Sequence, residues 1–326
     1  MEGGKMFDKI TIRAKLSNKD CLHISTLYHL TCWHNTKCNQ VEYRNGDDSK
    51  ITGIEISIKN DFLTLKTSLH KYWYKRCYGE LRNDKQFTVS EAKSAFEMLL
   101  FEFGLHKEKV FITQFEIGLN LNVSYDPLTF IEKVKNIPTT INKMMFIDAN
   151  YHINRQRTTE KHKDIRKYFK VYDKSWEMMQ KSKEPKKVKM AKMAMMSKVL
   201  RIETCSRRYK ERSDKFFLSN NIDRLVMHFY SDWRNLIFKK DVIGHKGTRK
   251  SEIERAKLLI NEGEESYLKK TKSDFDSRLI SENQYRTIRE FIRDFKNDQS
   301  KFDIIISEQE KEYNELLSST YNRARL

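Results

Sequence analysis

Apolar and polar residues alternate along residues 7–16, with Ile10, Ile12, Ala14 and Leu16 on one face, which predicts a first strand. A mixed apolar stretch up to Trp33 reads as helical. Residues 54–59 and 62–66 form two short alternating runs around Asn60 and Asp61, the signature of a hairpin turn. Thr88 and Glu91 make a capping box, after which Ala92, Ala95, Phe96, Leu99, Leu100 and Phe103 recur at helical spacing up to Gly104. Residues 111–123 are the clearest strand. Phe111, Thr113, Phe115, Ile117, Leu119, Leu121 and Val123 share one face, and Gln114, Glu116, Gly118, Asn120 and Asn122 the other.

Asp126 and Pro127 open another helix. Two further strand patterns cover residues 167–174 and 199–205, separated by a lysine-rich stretch at 181–198. Beyond about residue 215 the strand signal fades, and four helical segments remain, two of them opened by Ser251/Glu254 and Ser281/Gln284. The expected class is α+β: a mainly antiparallel N-terminal sheet with packed helices, then an all-helical C-terminal region. The expected domains are residues 1–214 and 215–326.

Composition narrows the function classes. Lys and Arg number 63 against 45 Asp and Glu, a formal charge of +18 that draws a protein to a polyanion, nucleic acid being the commonest. No apolar run is long enough to span a bilayer, so a membrane partner is not expected. Five cysteines (Cys21, Cys32, Cys38, Cys77, Cys205) form no regular framework, as in a reducing cytoplasm, the expected compartment. There is no Walker A loop, no His–hydrophobe–His triplet and no zinc-finger or deaminase pattern.

Candidate chemistry lies on the later strands. In strand geometry Tyr168, Lys170, Tyr172 and Lys174 project from one face, setting phenols beside ammonium groups. A phenol of pKa about 10 is a poor nucleophile, and a neighbouring cation or metal favours its phenolate. A tyrosine-rich sheet face with solvated lysines is the more ordinary account of those residues taken alone. Glu116 and Glu203 are carboxylates on strands, where burial demands a partner or a cation; two of them in one cleft suit Mg²⁺ or Mn²⁺. An Arg201–Glu203 structural pair is an equal alternative for the second. His70 and Lys71, in an aromatic-basic run, Lys186 and Lys187 in the lysine-rich stretch, and Lys170 and Arg201 are candidates for DNA contact.

The order of these segments resembles the gene II/X replication initiators of phages and plasmids. It runs through Phe-Asp-Lys-Ile-Thr-Ile-Arg at 7–13 and Leu-Thr-Leu-Lys-Thr-Ser-Leu-His-Lys-Tyr at 63–72. Phe-Glu-Ile-Gly-Leu-Asn at 115–120, Phe-Lys-Val-Tyr-Asp-Lys at 169–174 and Val-Leu-Arg-Ile-Glu at 199–203 follow. The resemblance covers residues 7–210. It implies a rolling-circle initiator, a metal-dependent endonuclease and strand transferase acting on double-stranded and single-stranded origin DNA. Tyr172 would form a 5′-phosphotyrosyl bond, with Tyr168 as second or substitute tyrosine. Lys174 would lie near the site, and Glu116 and Glu203 would be the metal ligands. Host helicase or polymerase are candidate partners. The alternatives are a non-catalytic DNA-binding copy-control factor and a mobilisation relaxase.

Overall fold

The computed structural model describes residues 6–35, 40–46, 53–81, 87–137, 145–148, 153–156, 167–181, 185, 188 and 197–323. The strands are β1 (Met6–Lys15), β2 (Thr31–Asn35), β3 (Gln40–Arg44), β4 (Ile54–Lys59), β5 (Phe62–Ser68), β6 (Val110–Asn122), β7 (Val134–Asn136), β8 (Met145–Asp148), β9 (Ile153–Gln156), β10 (Lys167–Asp173), β11 (Val199–Arg212), β12 (Ile237–Phe238), β13 (Asp241–Gly244) and β14 (Phe302–Ile305). The helices are α1 (Asn18–Leu27), α2 (Leu69–Tyr78), α3 (Val89–Glu102), α4 (Pro127–Lys133), α5 (Lys174–Lys181), α6 (Ser213–Phe216), α7 (Ser219–Arg234), α8 (Lys250–Glu262), α9 (Glu264–Asp276), α10 (Glu282–Asn297) and α11 (Glu308–Arg323). The class is α+β, as the periodicity predicts. No helix among the described residues is long and apolar enough to cross a membrane.

The chain divides into two compact units. One comprises residues 1–132, 136–236 and 316–326, the other residues 133–135 and 237–315. The first holds a ten-stranded sheet in the order β2-β3-β4-β5-β1-β6-β11-β10-β9-β8, with antiparallel neighbours. The second is helical around Val242, Ala256, Leu259, Tyr267, Ile292 and Phe295, with the β13–β14 pair among its elements. Here Arg249 rather than Ser251 precedes the helix: its backbone N–H donates to Glu252 at 2.8 Å.

Local chemistry accounts for the sheet's edges and bends. Asn60 and Asp61 both take positive φ (49° and 59°), which the two-residue turn between β4 and β5 requires. Thr88 and Glu91 cap α3 reciprocally. Trp33 lies on strand β2, not on a helix: α1 stops at Leu27 and His29 turns the chain with φ of 49°.

Two bulges shift the face that each side chain joins. In β1 the pairs Phe7↔Ile117 and Ile10↔Phe115 leave Asp8 and Lys9 opposite the single residue Glu116. In β6 the register slips near Thr113, so Val110 and Ile112 turn inward while Phe111 stays exposed. The simple alternation that groups Phe111 with Phe115 fails there for that reason.

The apolar face of the sheet carries Phe7, Ile10, Ile12, Leu65, Phe115, Ile117, Phe169 and Ile202, all buried. Trp233 of α7 is fully buried against this face. Its ring meets Phe169 edge-on at 5.9 Å, and its Nε1 donates to Thr204 at 3.0 Å. Trp233→Ala is expected to cost about 3–5 kcal/mol. Trp233→Phe, which keeps a ring but leaves the Thr204 hydroxyl without its donor, should cost about 1–3 kcal/mol. Urea denaturation checks both, and an unchanged midpoint for Trp233→Ala would contradict this packing.

Candidate active site on the polar sheet face

Antiparallel register assembles the opposite face. Lys170 pairs with Glu203 and Glu203 with Gly118; Tyr172 pairs with Arg201 and Arg201 with Asn120; Tyr168 pairs with Cys205 and Cys205 with Glu116. Directly paired residues share a face, so three adjacent strands bring these side chains together. The β1 bulge adds Asp8, which strict alternation would have put among Ile10 and Ile12.

The result is a buried constellation of charge. Asp8, Glu116 and Glu203 offer carboxylate oxygens that lie within 4.8 Å of one another. The Arg201 guanidinium donates from Nη2 to Asp8 at 2.8 Å, from Nε to Glu203 at 2.6 Å and from Nη1 to Asn120 at 3.0 Å. Lys170 bridges the two glutamates, reaching Glu116 at 3.1 Å and also pairing with Glu203. Lys9 reaches Glu116 at 3.3 Å, and Ser68 donates to Asp8. Three carboxylates therefore meet three cations, the condition under which such charges persist away from water.

Tyr172 joins this group. Its hydroxyl donates to Glu203 Oε1 at 2.8 Å, and only 8% of the residue is exposed. Burial pushes its pKa well above 10, and the Glu203 charge pushes the same way against Arg201. The phenol thus rests protonated and oriented, its O–H donated in a hydrogen bond to a carboxylate. Burial, the largest single influence, would raise Asp8 and Glu203, but Arg201 together with Ser68 and Lys9 at Asp8, and together with Lys170 at Glu203, outweighs it; both carboxyls titrate below their ordinary values. Lys170 goes the other way: burial opposes its charge, yet Glu203 and Glu116 raise its pKa.

The strand β10 ends one residue earlier than alternation predicts. Asp173 accepts from the backbone N–H of Trp176 at 2.9 Å and starts α5, so Lys174 opens a helix and pairs with Glu177 at 2.6 Å. Burial, then Arg201, lowers the Lys174 pKa. Tyr168 is half-buried, with Arg207 over its ring at 5.4 Å.

His70 does not join the cluster. It is fully buried on α2, stacked on Phe87 at 4.5 Å and edge-on to Tyr74 at 5.1 Å. His70 and Arg201 are both completely buried, and Arg201 holds the carboxylates. Lys71 is half-buried on the same helix. Lys186 and Lys187 lie outside the described residues. Asp8 and Ser68 are the site residues that the strand pattern misses; it puts Gly118 and Asn120 on the face of Glu116 without marking them as part of a site. For Asp8 a signal was present: apolar positions run even from Ile10 onward, while Phe7 is odd, which marks the bulge.

The donor set suits a hard divalent cation, since all its ligand atoms are carboxylate oxygens gathered in one buried place. The Lys170 ammonium now stands between Glu116 and Glu203, and its long flexible stem allows it to yield that position.

Gly118 is required by close approach. A Cβ there would stand 2.7 Å from Arg201 Nη2 and 3.3 Å from Glu203 Cγ. Because Arg201 is held on three sides, Gly118→Ala should displace it and cost about 1–3 kcal/mol; wild-type stability would contradict the packing. The pH dependence has a definite sign. With folded pKa values below the ordinary 3.8 and 4.5, Asp8 and Glu203 contribute stability that is fully present above about pH 4.5. It is lost as pH falls through the depressed values. Urea unfolding between pH 7 and pH 3 should show that decline, and Glu203→Gln should lose about 3–5 kcal/mol at pH 7 by stranding Arg201 and Lys170. Equal stability of the variant at pH 7 would show that the pairs do not form.

No protein-family model matches the chain, and no curated protein matches it. Among solved structures, the rolling circle replication initiator protein from Geobacillus stearothermophilus is similar over 76% of this chain and 89% of its own, at 10% identity and a TM-score of 0.32. A likeness that distant decides neither fold nor function.

Proposed function

We propose that the chain is a DNA-nicking and strand-transfer enzyme of the rolling-circle initiator type, with Tyr172 as its nucleophile. The observation that carries this proposal is the Tyr172 hydroxyl on Glu203, inside a group of three buried carboxylates and next to Arg201 and Lys170. The +18 charge supplies salt-dependent attraction to the DNA backbone.

In the proposed reaction the Tyr172 oxygen attacks the scissile phosphorus and its proton passes to Glu203. The bond from phosphorus to the 3′ oxygen breaks, leaving a 5′-phosphotyrosyl bond and a 3′-hydroxyl. Lys174, made more acidic by burial, donates the proton to that leaving oxygen. Glu203 is a weak base while Lys170 and Arg201 hold it low. An arriving phosphate competes for Lys170 and so raises the affinity of Glu203 for the proton. The covalent bond conserves the phosphodiester energy, so rejoining needs no nucleotide hydrolysis. Asp8, Glu116 and Glu203 would hold Mg²⁺ or Mn²⁺, which would polarise the phosphate and favour the phenolate.

Full internal pairing of the cluster also suits a second account, a polar core in a DNA-binding protein without catalysis. That account predicts no covalent adduct. With supercoiled DNA carrying the replicon's own origin and Mn²⁺, the wild type should give open circles and a denaturation-resistant protein–DNA bond. Tyr172→Phe should reduce both at least about 10³-fold, while Tyr168→Phe should retain them. Undiminished nicking by Tyr172→Phe would overturn the assignment.

A further inference from the structure

The polar face of the sheet does not end at the carboxylate cluster. Lys9, which pairs with Glu116, lies two residues before Thr11 on β1, and Thr11 pairs with Lys66 on β5 and Gln114 on β6. From Thr11 a groove of about 470 Å³ continues across β5, β4 and β3 as far as Trp33 on β2. Register places its side chains on one face: Thr11 with Lys66 and Glu55, Thr64 with Ser57 and Arg44, and Glu42 with Trp33.

Two properties of this face point to one class of occupant. Its charge is basic: on the polar face of strands β1 to β5, Arg13, Lys15, Arg44, Lys59 and Lys66 stand against the two carboxylates Glu42 and Glu55. Arg44 pairs with Glu42 and Lys66 with Glu55, but at the surface, where such pairs are weak and cations can turn to phosphate. It also offers one open ring, that of Trp33, and a second that a cation already covers. Trp33 is 58% exposed, an unusual position for an indole, and the Arg13 guanidinium lies 4.1 Å over the Phe62 ring. Cations beside an exposed ring are the pattern that binds single strands, with phosphates on the cations and a base on the ring.

We infer that this groove binds single-stranded DNA that flanks the scissile phosphodiester, with a base stacked on Trp33. The inference rests on the nicking function proposed for the cluster and extends it to the path of the strand. Duplex DNA fits less well, because its bases are already stacked and present no open face to the indole. Trp33 is separated from β1 by four strand spacings, about 19 Å, and from the cluster by a further offset along the strands. The strand therefore contacts several sugar-phosphate units between nucleophile and indole.

Binding is tested in the Tyr172→Phe protein, so that no covalent bond contributes, with oligothymidylate of about 20 nucleotides, longer than the ~4–16 that one such surface covers. Fluorescence anisotropy measures affinity, and intrinsic tryptophan emission measures stacking. The oligonucleotide should quench the emission; Trp33→Ala should abolish most of that quenching and weaken affinity about ten-fold, and Trp33→Tyr should restore most of the affinity. Heparin, a polyanion without bases, should bind both proteins equally and quench neither. Equal affinity and quenching in Trp33→Ala, or a ten-fold loss that heparin shares, would overturn the inference. These outcomes are independent of whether Tyr172 forms an adduct on origin DNA, so each claim fails separately.

Discussion

The Arg201 guanidinium sits where water cannot reach it, and the polar face of the sheet is arranged around that charge. Such a group persists only when its donors meet acceptors and its charge meets anions. Asp8, Glu203 and Asn120 meet both demands, from β1, β11 and β6. Each of those positions depends on something further: a bulge for Asp8, direct register for Asn120, and a glycine at 118 where any side chain would collide with the guanidinium. Tyr172 is oriented by the same carboxylate that Arg201 fixes. A tyrosine at the surface would rotate freely, whereas this one is locked by a buried acceptor.

That arrangement has a cost that bears on chemistry. The cations that stabilise Glu203 also make it a poor proton acceptor, and burial with Glu203 makes Tyr172 a poor proton donor. The resting site is consequently stable and unreactive. In the proposed reaction, an anionic phosphate that draws Lys170 toward itself would change both quantities in the favourable direction. Under the proposed function, the substrate would complete the electrostatics that the folded chain holds in balance.

Much of this was legible in the sequence, because strand alternation has a period of two and survives most contexts. It placed Tyr168, Lys170 and Tyr172 together, and it placed Glu116 and Glu203 on strands. Alternation cannot express a bulge, so Asp8 was hidden in a run that otherwise reads as core, and Phe111 was assigned to the wrong face. It also overran the end of β10, since a capping Asp173 looks like one more strand residue until the helix behind it is seen. Pairing between distant strands is absent from any local pattern: that Gly118 faces Glu203 depends on the 84 residues between them bringing the strands back in register. His70 misled for a plainer reason. Its neighbours are basic and aromatic, but of residues 71–76 α2 exposes only Lys75 and Arg76, and it turns the imidazole toward Phe87.

The central claim is that one particular oxygen, the Tyr172 hydroxyl, becomes bonded to DNA phosphorus. The most direct measurement is to trap the adduct on origin DNA, digest protein and DNA, and locate the nucleotide by tandem mass spectrometry. The account predicts a mononucleotide on the tyrosine of the peptide at position 172. Modification of Tyr168 instead, or of no tyrosine in a preparation that nicks DNA, would contradict it.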